Sequence, residues 1–333
     1  MRSAAILLLF AAVSGCSKDE ANPATPADAG ADGPATPTGP KVTGLPQTCA
    51  RGPKKTERPV ACNGSPDLCE RTYDRVVTPV THNAMSNAAE MFGTPNQNNA
   101  VAKQLQDGIR GMMLDTYYFA PEENVNRTER DDAYTTVDQI WLCHASCAFG
   151  KKRMLDTLCD VTKFLDENPG EIVTFIVQNE IADPDLAAVI EASGLAEYAY
   201  AHTLGAPWPT LRKLIDDGKR LVVFLERNGG TPPILMPAYE GHIWDTPYTF
   251  STKEEFTCKL GRGKAGSPLF LINHWLQRPT SSAALAAEAN SATVLGGRID
   301  KCTMEATRPP TFVAVDFYDV GDLFSLVRRA NGL

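Results

Sequence analysis

From residue 48 to the C-terminus, short β-rich runs alternate with amphipathic stretches, and nearly every run ends in a polar or titratable residue. Such alternation is the pattern of repeated βα units around a parallel sheet. The strands read at 75–80, 111–114, 139–143, 172–177, 221–225, 269–272 and 311–315, with an eighth near 198–201 or 248–250. Helices fit 100–106, 153–167, 184–192, 211–216, 253–260, 282–289 and 321–330, and no repeat of solenoid type occurs. In a barrel the C-terminal strand ends converge on one mouth, so His82, Asp115, His144, Gln178 or Glu180, Glu226, His274 and Asp316 read as one constellation. An open doubly wound sheet also gathers polar groups at strand ends, yet no glycine-rich phosphate loop follows the first strand here. The expected fold class is α/β, a (β/α)8 TIM-type barrel with a parallel strand core, regular or not, filling residues 48–333 as one domain.

Ahead of that domain, Arg2 precedes an apolar run over 4–13 and then Ser14, Gly15 and Cys16. The run is far shorter than the about 20 residues a membrane span needs, so 1–15 reads as a removable secretory signal. Val13-Ser14-Gly15-Cys16 resembles the lipobox of bacterial lipoproteins, which would make Cys16 a lipidated first residue; an ordinary signal peptide cut nearby is the alternative. Residues 16–47, rich in Ala, Pro, Thr, Gly and Asp, have the composition of a disordered tether. The expectation is an exported protein, anchored by lipid to the bacterial cell envelope at the outer membrane or cell surface.

A formal net charge of −8, with basic residues scattered apart from short clusters such as Lys54-Lys55 and Lys151-Lys152-Arg153, argues against nucleic acid as a partner. It also argues against electrostatic adsorption to anionic lipid, leaving the anchor to supply membrane proximity. Cys16 aside, eight cysteines remain, an even count that suggests disulfides in an exported chain. The spacing Cys143-His144-Cys147 would also suit zinc, against which an oxidising compartment weighs.

Two segments, VTPVTHNAMSN at 77–87 and QLQDGIRGMMLDTYYF at 104–119, followed by LCH ending at His144, resemble the X-domain signature of phosphatidylinositol-specific phospholipases C. The resemblance continues through NPGEIVTFIVQNE at 168–180, APWPTLRKLI at 206–215, RLVVF at 220–224 and FVAVDFYDVGDL at 312–323. It implies a barrel enzyme that cleaves phosphatidylinositol-type phospholipid into diacylglycerol and a cyclic phosphorylated headgroup. With proximity along the chain, it also suggests pairing of Cys62 with Cys69 and of Cys258 with Cys302.

Cleavage between phosphorus and the diacylglycerol oxygen needs a base for the attacking hydroxyl and an acid for the departing alkoxide, and imidazole serves as either near neutral pH. By position His82 resembles the base, His144 the acid, and Asp316 the carboxylate that holds the base in the right tautomer. Positive charge must meet the phosphorane, and here the chain departs from its relatives. Tyr117 stands where metal-independent members have Arg, Met113 stands where calcium-dependent members have a Glu, and Gln178 replaces a later Glu. Asn83, Asp115 and Glu180 still offer hard oxygen ligands suited to Ca2+. The alternative is a metal-free site in which Arg110, Lys103 or a histidine carries the charge.

Tyr117, Arg110 and His274 are read as substrate-contacting, and His202 and His242 as loop residues. The stretch 229–250 reads as a long loop on the mouth side, packed on itself or touching lipid, and 121–132 as an exposed connection. The chain is expected to work as a monomer on phospholipid. Two other readings stay open: another phosphodiesterase on the same barrel, of glycerophosphodiesterase or sphingomyelinase D-like type, and a surface lipoprotein whose degenerate site no longer catalyses.

Overall fold

The apolar runs read as strands bury both faces, as strands covered by helices on one side and by the barrel interior on the other must. A computed structural model describes residues 44–333; the expected signal 1–15, Cys16 and the tether as far as residue 43 lie outside the described residues. Eight parallel strands form the wall: β1 (Thr78–Thr81), β2 (Gly111–Ala120), β3 (Val173–Asn179), β4 (Leu221–Leu225), β5 (Leu235–Pro237), β6 (Ile243–Asp245), β7 (Leu269–His274) and β8 (Phe312–Val315). All but β5 and β6 pair with both neighbours in chain order, and β8 closes back on β1. Among the described residues no ladder joins β5 to β6; the turn Ala238–His242 connects them, so the α/β barrel is irregular at that seam. The lower half of β4 pairs with a two-residue strand, Ala199–Tyr200, and its upper half with β5.

Side-chain parity separates two apolar layers. Val80, Met113, Ile176, Phe224, Leu271 and Ala314 face the barrel interior, whereas Val77, Met112, Phe175, Val223, Val313 and Val315 face the helices. Gly111 is required where β2 crosses β1, because a Cβ there would stand 2.5 Å from Val80 Cγ2.

Several expectations change. The run 139–143 forms a strand, Ile140–Cys143, but outside the wall: it pairs antiparallel with the outer half of β2 and with Lys151–Arg153. The stretch 229–250 supplies β5 and β6 rather than a loop, burying Leu235, Met236 and Ile243. The 121–132 connection contains a third flap strand, Val125–Arg127. Of the helix expected at 253–260 only the turn Lys253–Glu255 forms, since Thr257 O accepts from Arg298 Nη2 at 2.8 Å and Cys258 is bonded to Cys302. The partner helix, Ala292–Ala306, went unread because Gly296-Gly297 lowers its helical propensity.

Among the described residues four disulfides form, Cys49–Cys159, Cys62–Cys69, Cys143–Cys147 and Cys258–Cys302. The two expected pairs are among them, and the third excludes the zinc reading by consuming both thiolates. Replacing Cys258 and Cys302 together by Ser should lower unfolding free energy by about 2–4 kcal/mol, measured by urea denaturation, because the link closes a long segment between β6 and the helix before β8.

Candidate active site

Strand register builds the mouth. Thr81 pairs with Val315, and Val315 with His274, so the next residues of β1, β8 and β7, which are His82, Asp316 and Trp275, emerge side by side. His82 Nδ1 lies 2.7 Å from Asp316 Oδ1. The carboxylate also accepts from Asn96 Nδ2, at 3.2 Å to each oxygen, and from the Ser281 hydroxyl. With Asp316 buried and fully engaged, Nδ1 of His82 carries the proton and Nε2 is left as the acceptor. The His82 ring lies flat on Trp275, centroids 3.7 Å apart and planes 5° apart.

The loop after β1 straps this pair. Gln97 Nε2 donates to His82 O at 2.8 Å and to Val315 O at 3.1 Å, and Asn96 O accepts from Phe317 N at 2.7 Å. The flap delivers His144: Ile140–Cys143 runs back toward the barrel along β2, and the Cys143–Cys147 link pins the turn behind it. Burial lowers the basicity of His144, the charge of His82 lowers it further, and Asp316 and the Thr94 carbonyl partly offset both. Its Nδ1 is buried without a hydrogen-bond partner among the described residues.

The residue after each of the three polar anchors adopts positive φ: Asn83 at 45°, Ala145 at 60° and Phe317 at 46°. Left-handed backbone in Ala and Phe is uncommon, costs about 1–3 kcal/mol, and clusters at functional sites.

A pocket of about 300 Å³ opens beside His82, bounded by Asn83, Met113, Asp115, Gln178, Glu226, Arg227, Tyr239, Tyr248, Arg262 and Trp275, with Ile176 as its floor. Asp115, paired in register with Gln178, makes no side-chain hydrogen bond among the described residues. Burial raises its pKa well above the usual carboxylate value, and Glu226 and Glu180 raise it further. Arg262 is shared by Asp245 at 2.7 Å and Glu226 at 2.9 Å, while Arg227 holds Glu180 at 2.6 Å. Tyr117 stands at the rim beside Gln178, its hydroxyl 3.4 Å from Gln178 Nε2 and its pKa raised to about 12 by burial and by Asp115. His144 and Tyr117 flank the pocket rather than bounding it.

Other expected residues lie elsewhere. Arg110 precedes β2 and therefore sits at the opposite end of the barrel, bound to Glu171 at 2.6 Å and to the carbonyls of Leu105 and Ile109. Lys103 pairs with Asp107 on its own helix. His274 faces outward under helix Ala292–Ala306, donating from Nε2 to Ala289 O at 2.9 Å and accepting from Arg298 at 3.2 Å; burial and then Arg298 push its pKa down to about 3. Trp275 reaches the mouth in its place. His202 lies in the irregular connection after Tyr200 and His242 ends the turn Ala238–His242, as read, and both are buried around Trp208. Sequence reasoning missed Trp275, Asn96, Ser281 and Arg262, of which only Trp275 adjoined a strand end that had been singled out; Tyr239 and Tyr248 lie in the stretch 229–250 that was placed on the mouth side.

Among the described residues no three His, Cys, Asp or Glu side chains converge as a metal-binding group. Asn83 and Asp115 both face the pocket and fit a hard cation, for a buried carboxylate without a hydrogen-bond donor is short of positive charge. Glu180 fits less well, being held at the rim by Arg227.

Comparisons with known proteins agree with this architecture. Residues 68–331 match the PI-PLC X 1 family. A "PI-PLC X domain-containing protein 1" from the fungus Arthroderma benhamiae is 30% identical over 305 residues, covering 84% of this chain and 92% of that protein. An "Uncharacterized secreted protein" from the same fungus is 30% identical over 316 residues, which span 85% of this chain and just 66% of the relative. Among solved structures, the phosphatidylinositol-specific phospholipase C of Staphylococcus aureus superposes with a TM-score of 0.52 at 10% identity, over 80% of this chain and 95% of that one, a likeness of fold.

Asp115 gives a stability prediction. Its folded pKa is raised, so its contribution is fully present below the unfolded pKa of about 3.9 and is lost as pH rises through the folded value. In chelator buffer, Asp115→Asn should therefore raise the melting temperature at pH 7 by a few degrees and leave it unchanged near pH 3, read by thermal unfolding at both values.

Proposed function

The chain belongs to the PI-PLC X domain family, and from that premise we propose that it is a phospholipase C-type phosphodiesterase acting on a phosphatidylinositol-type phospholipid. The observation that carries this reading is the His82–Asp316 pair at the mouth, with His144 close enough to feel the charge of both. His82 Nε2 takes the proton of the attacking hydroxyl, the inositol 2-hydroxyl in the first step. That oxygen bonds to phosphorus as the bond to the glycerol oxygen breaks, and His144 gives its proton to the departing alkoxide. Diacylglycerol and a cyclic phosphate leave. Asp316 keeps Nδ1 of His82 protonated and meets the imidazolium that forms.

Asn83 and Asp115 are proposed to hold a divalent cation, Ca2+ for preference, which would supply positive charge to the phosphoryl oxygens. Arg262 and Arg227 bring further cationic groups to the wall. Four cystines support action outside the cytoplasm. Export through 1–15 and anchoring at Cys16 complete the proposal.

The test is incubation of the protein with radiolabelled phospholipids, with and without chelator, beside His82→Ala and His144→Ala. Each variant should lose about 100- to 10,000-fold in kcat, and diacylglycerol with cyclic phosphate should appear. Full activity in both variants sinks the assignment, and release of choline instead points to another phosphodiesterase on this barrel.

The pH profile provides a second check. The acid must hold its proton, and burial lowers His144 below its ordinary value of 6.5, so the alkaline fall of kcat/KM should begin below that pH. Bound phosphate, being anionic, raises the same group, so the alkaline limb of kcat should lie at higher pH than that of kcat/KM. Coincident limbs would remove His144 from the role.

A further inference from the structure

Resting on the phosphodiesterase reading above, we propose that Trp275 is a positioning residue for His82, fixing the plane of the imidazole and stabilising the ring once it has taken a proton. A single hydrogen bond from Nδ1 to Asp316 sets the direction of the ring but leaves it free to turn about the bond axis. The indole removes that freedom, since its plane lies 5° from the imidazole plane at a centroid separation of 3.7 Å. Neutral aromatic pairs prefer offset or edge-on arrangements. Near-parallel approach this close suits a ring that becomes cationic, because the face of an aromatic carries negative potential.

Trp275 is also placed to matter. It is buried at 3% exposure and bounds the same pocket as His82, so the attraction acts with little water between the rings. Register fixes the contact: β7 and β1 both pair with β8, which sets Trp275 and His82 on either side of Asp316. The imidazolium would thus meet a carboxylate in its plane and a π face beneath it. Other charges that reach His82 are those of Asp316 from β8 and His144 from the flap, with Asp115, Glu226, Arg227 and Arg262 across the pocket; substitution of Trp275 leaves all of them in place.

The experiment compares Trp275→Leu and Trp275→Phe with wild type on phosphatidylinositol in detergent micelles across pH, with a proton spectrum of the substrate-free protein. Trp275→Leu should lose about 2- to 30-fold in plateau kcat/KM. The loss should fall on kcat with KM near the wild-type value, since a misaligned base slows the chemical step. Trp275→Phe should recover most of the lost kcat. In the spectrum, the His82 ring proton should lie upfield in wild type and Trp275→Phe and return downfield in Trp275→Leu.

A Leu variant with wild-type kcat overturns the proposal. So does a lower kcat with no recovery by Phe and an unmoved ring proton, which marks a purely structural role. Absence of the upfield signal in wild type overturns it independently of turnover. A wild type that shows the upfield signal but cuts no lipid fails the phosphodiesterase reading itself, and the positioning role of Trp275 in that reaction falls with it.

Discussion

Hydrogen-bond register among β1, β8 and β7 is the constraint on which the mouth depends. Thr81, Val315 and His274 lie in one row, so the residues that follow them must leave the sheet together. A slip of one residue in either ladder would turn its side chains to the other face. His82 would then point toward the helices, and Asp316 would lose it. The apolar rows beneath forbid that slip, since Val80, Ala314 and Leu271 fill the barrel while Val77, Val313 and Ile272 fill the space outside it. Packing of the interior therefore specifies the chemistry at its rim.

Register places the anchors, and local structure then holds them at a cost. His82, His144 and Asp316 are each followed by a left-handed residue, two of them Ala145 and Phe317, which gain nothing from that conformation themselves. Bonds from the strap offset the strain: Asn96 and Gln97 together engage Asp316, the His82 and Val315 carbonyls and, through Tyr318 N, the turn after β8. Around His144 the Cys143–Cys147 link does similar work covalently. Turns this sharp let a strand end present one side chain to the mouth while the backbone turns away.

Much of this was legible. A run of apolar residues closed by His, Asp or Glu gave the α/β barrel and put His82, Asp115 and Asp316 at one end of it. Where the reading failed, two-sided burial is the reason. Strand β7 is apolar on both faces, so LFLINHW does not reveal which parity faces inward, and His274 was chosen where Trp275 stands. Similarly, IWLC has the composition of a wall strand, and only its antiparallel partner on the overlong β2 shows it to be a flap. Prolines and glycines between 229 and 250 hid two short strands, because three residues in a ladder need little propensity when the wall already supplies the hydrogen bonds. Arg110 was misplaced for a simpler reason: it precedes its strand, and only the C-terminal ends share the mouth.

The remaining tension is electrostatic. A phosphodiester is anionic, yet the pocket that would receive it is walled by Asp115 and Glu226, and Arg262 is already divided between Glu226 and Asp245. Arg227 is similarly committed to Glu180. Either a proton or a cation must reduce this negative charge, and the raised pKa of Asp115 is the sign that burial favours the proton there. A divalent ion would compete with that proton and turn the carboxyl group into a ligand. Met113 sits one residue pair below Asp115 and projects thioether rather than carboxylate into the same space, so any such ion would have a thinner shell of protein oxygen than a pocket with a second acid there. On the proposed reading, the weaker the ion's hold, the more the reaction would draw on groups already organised: the His82 ring between Asp316 and Trp275, and the His144 proton, which an arriving phosphate would make easier to hold.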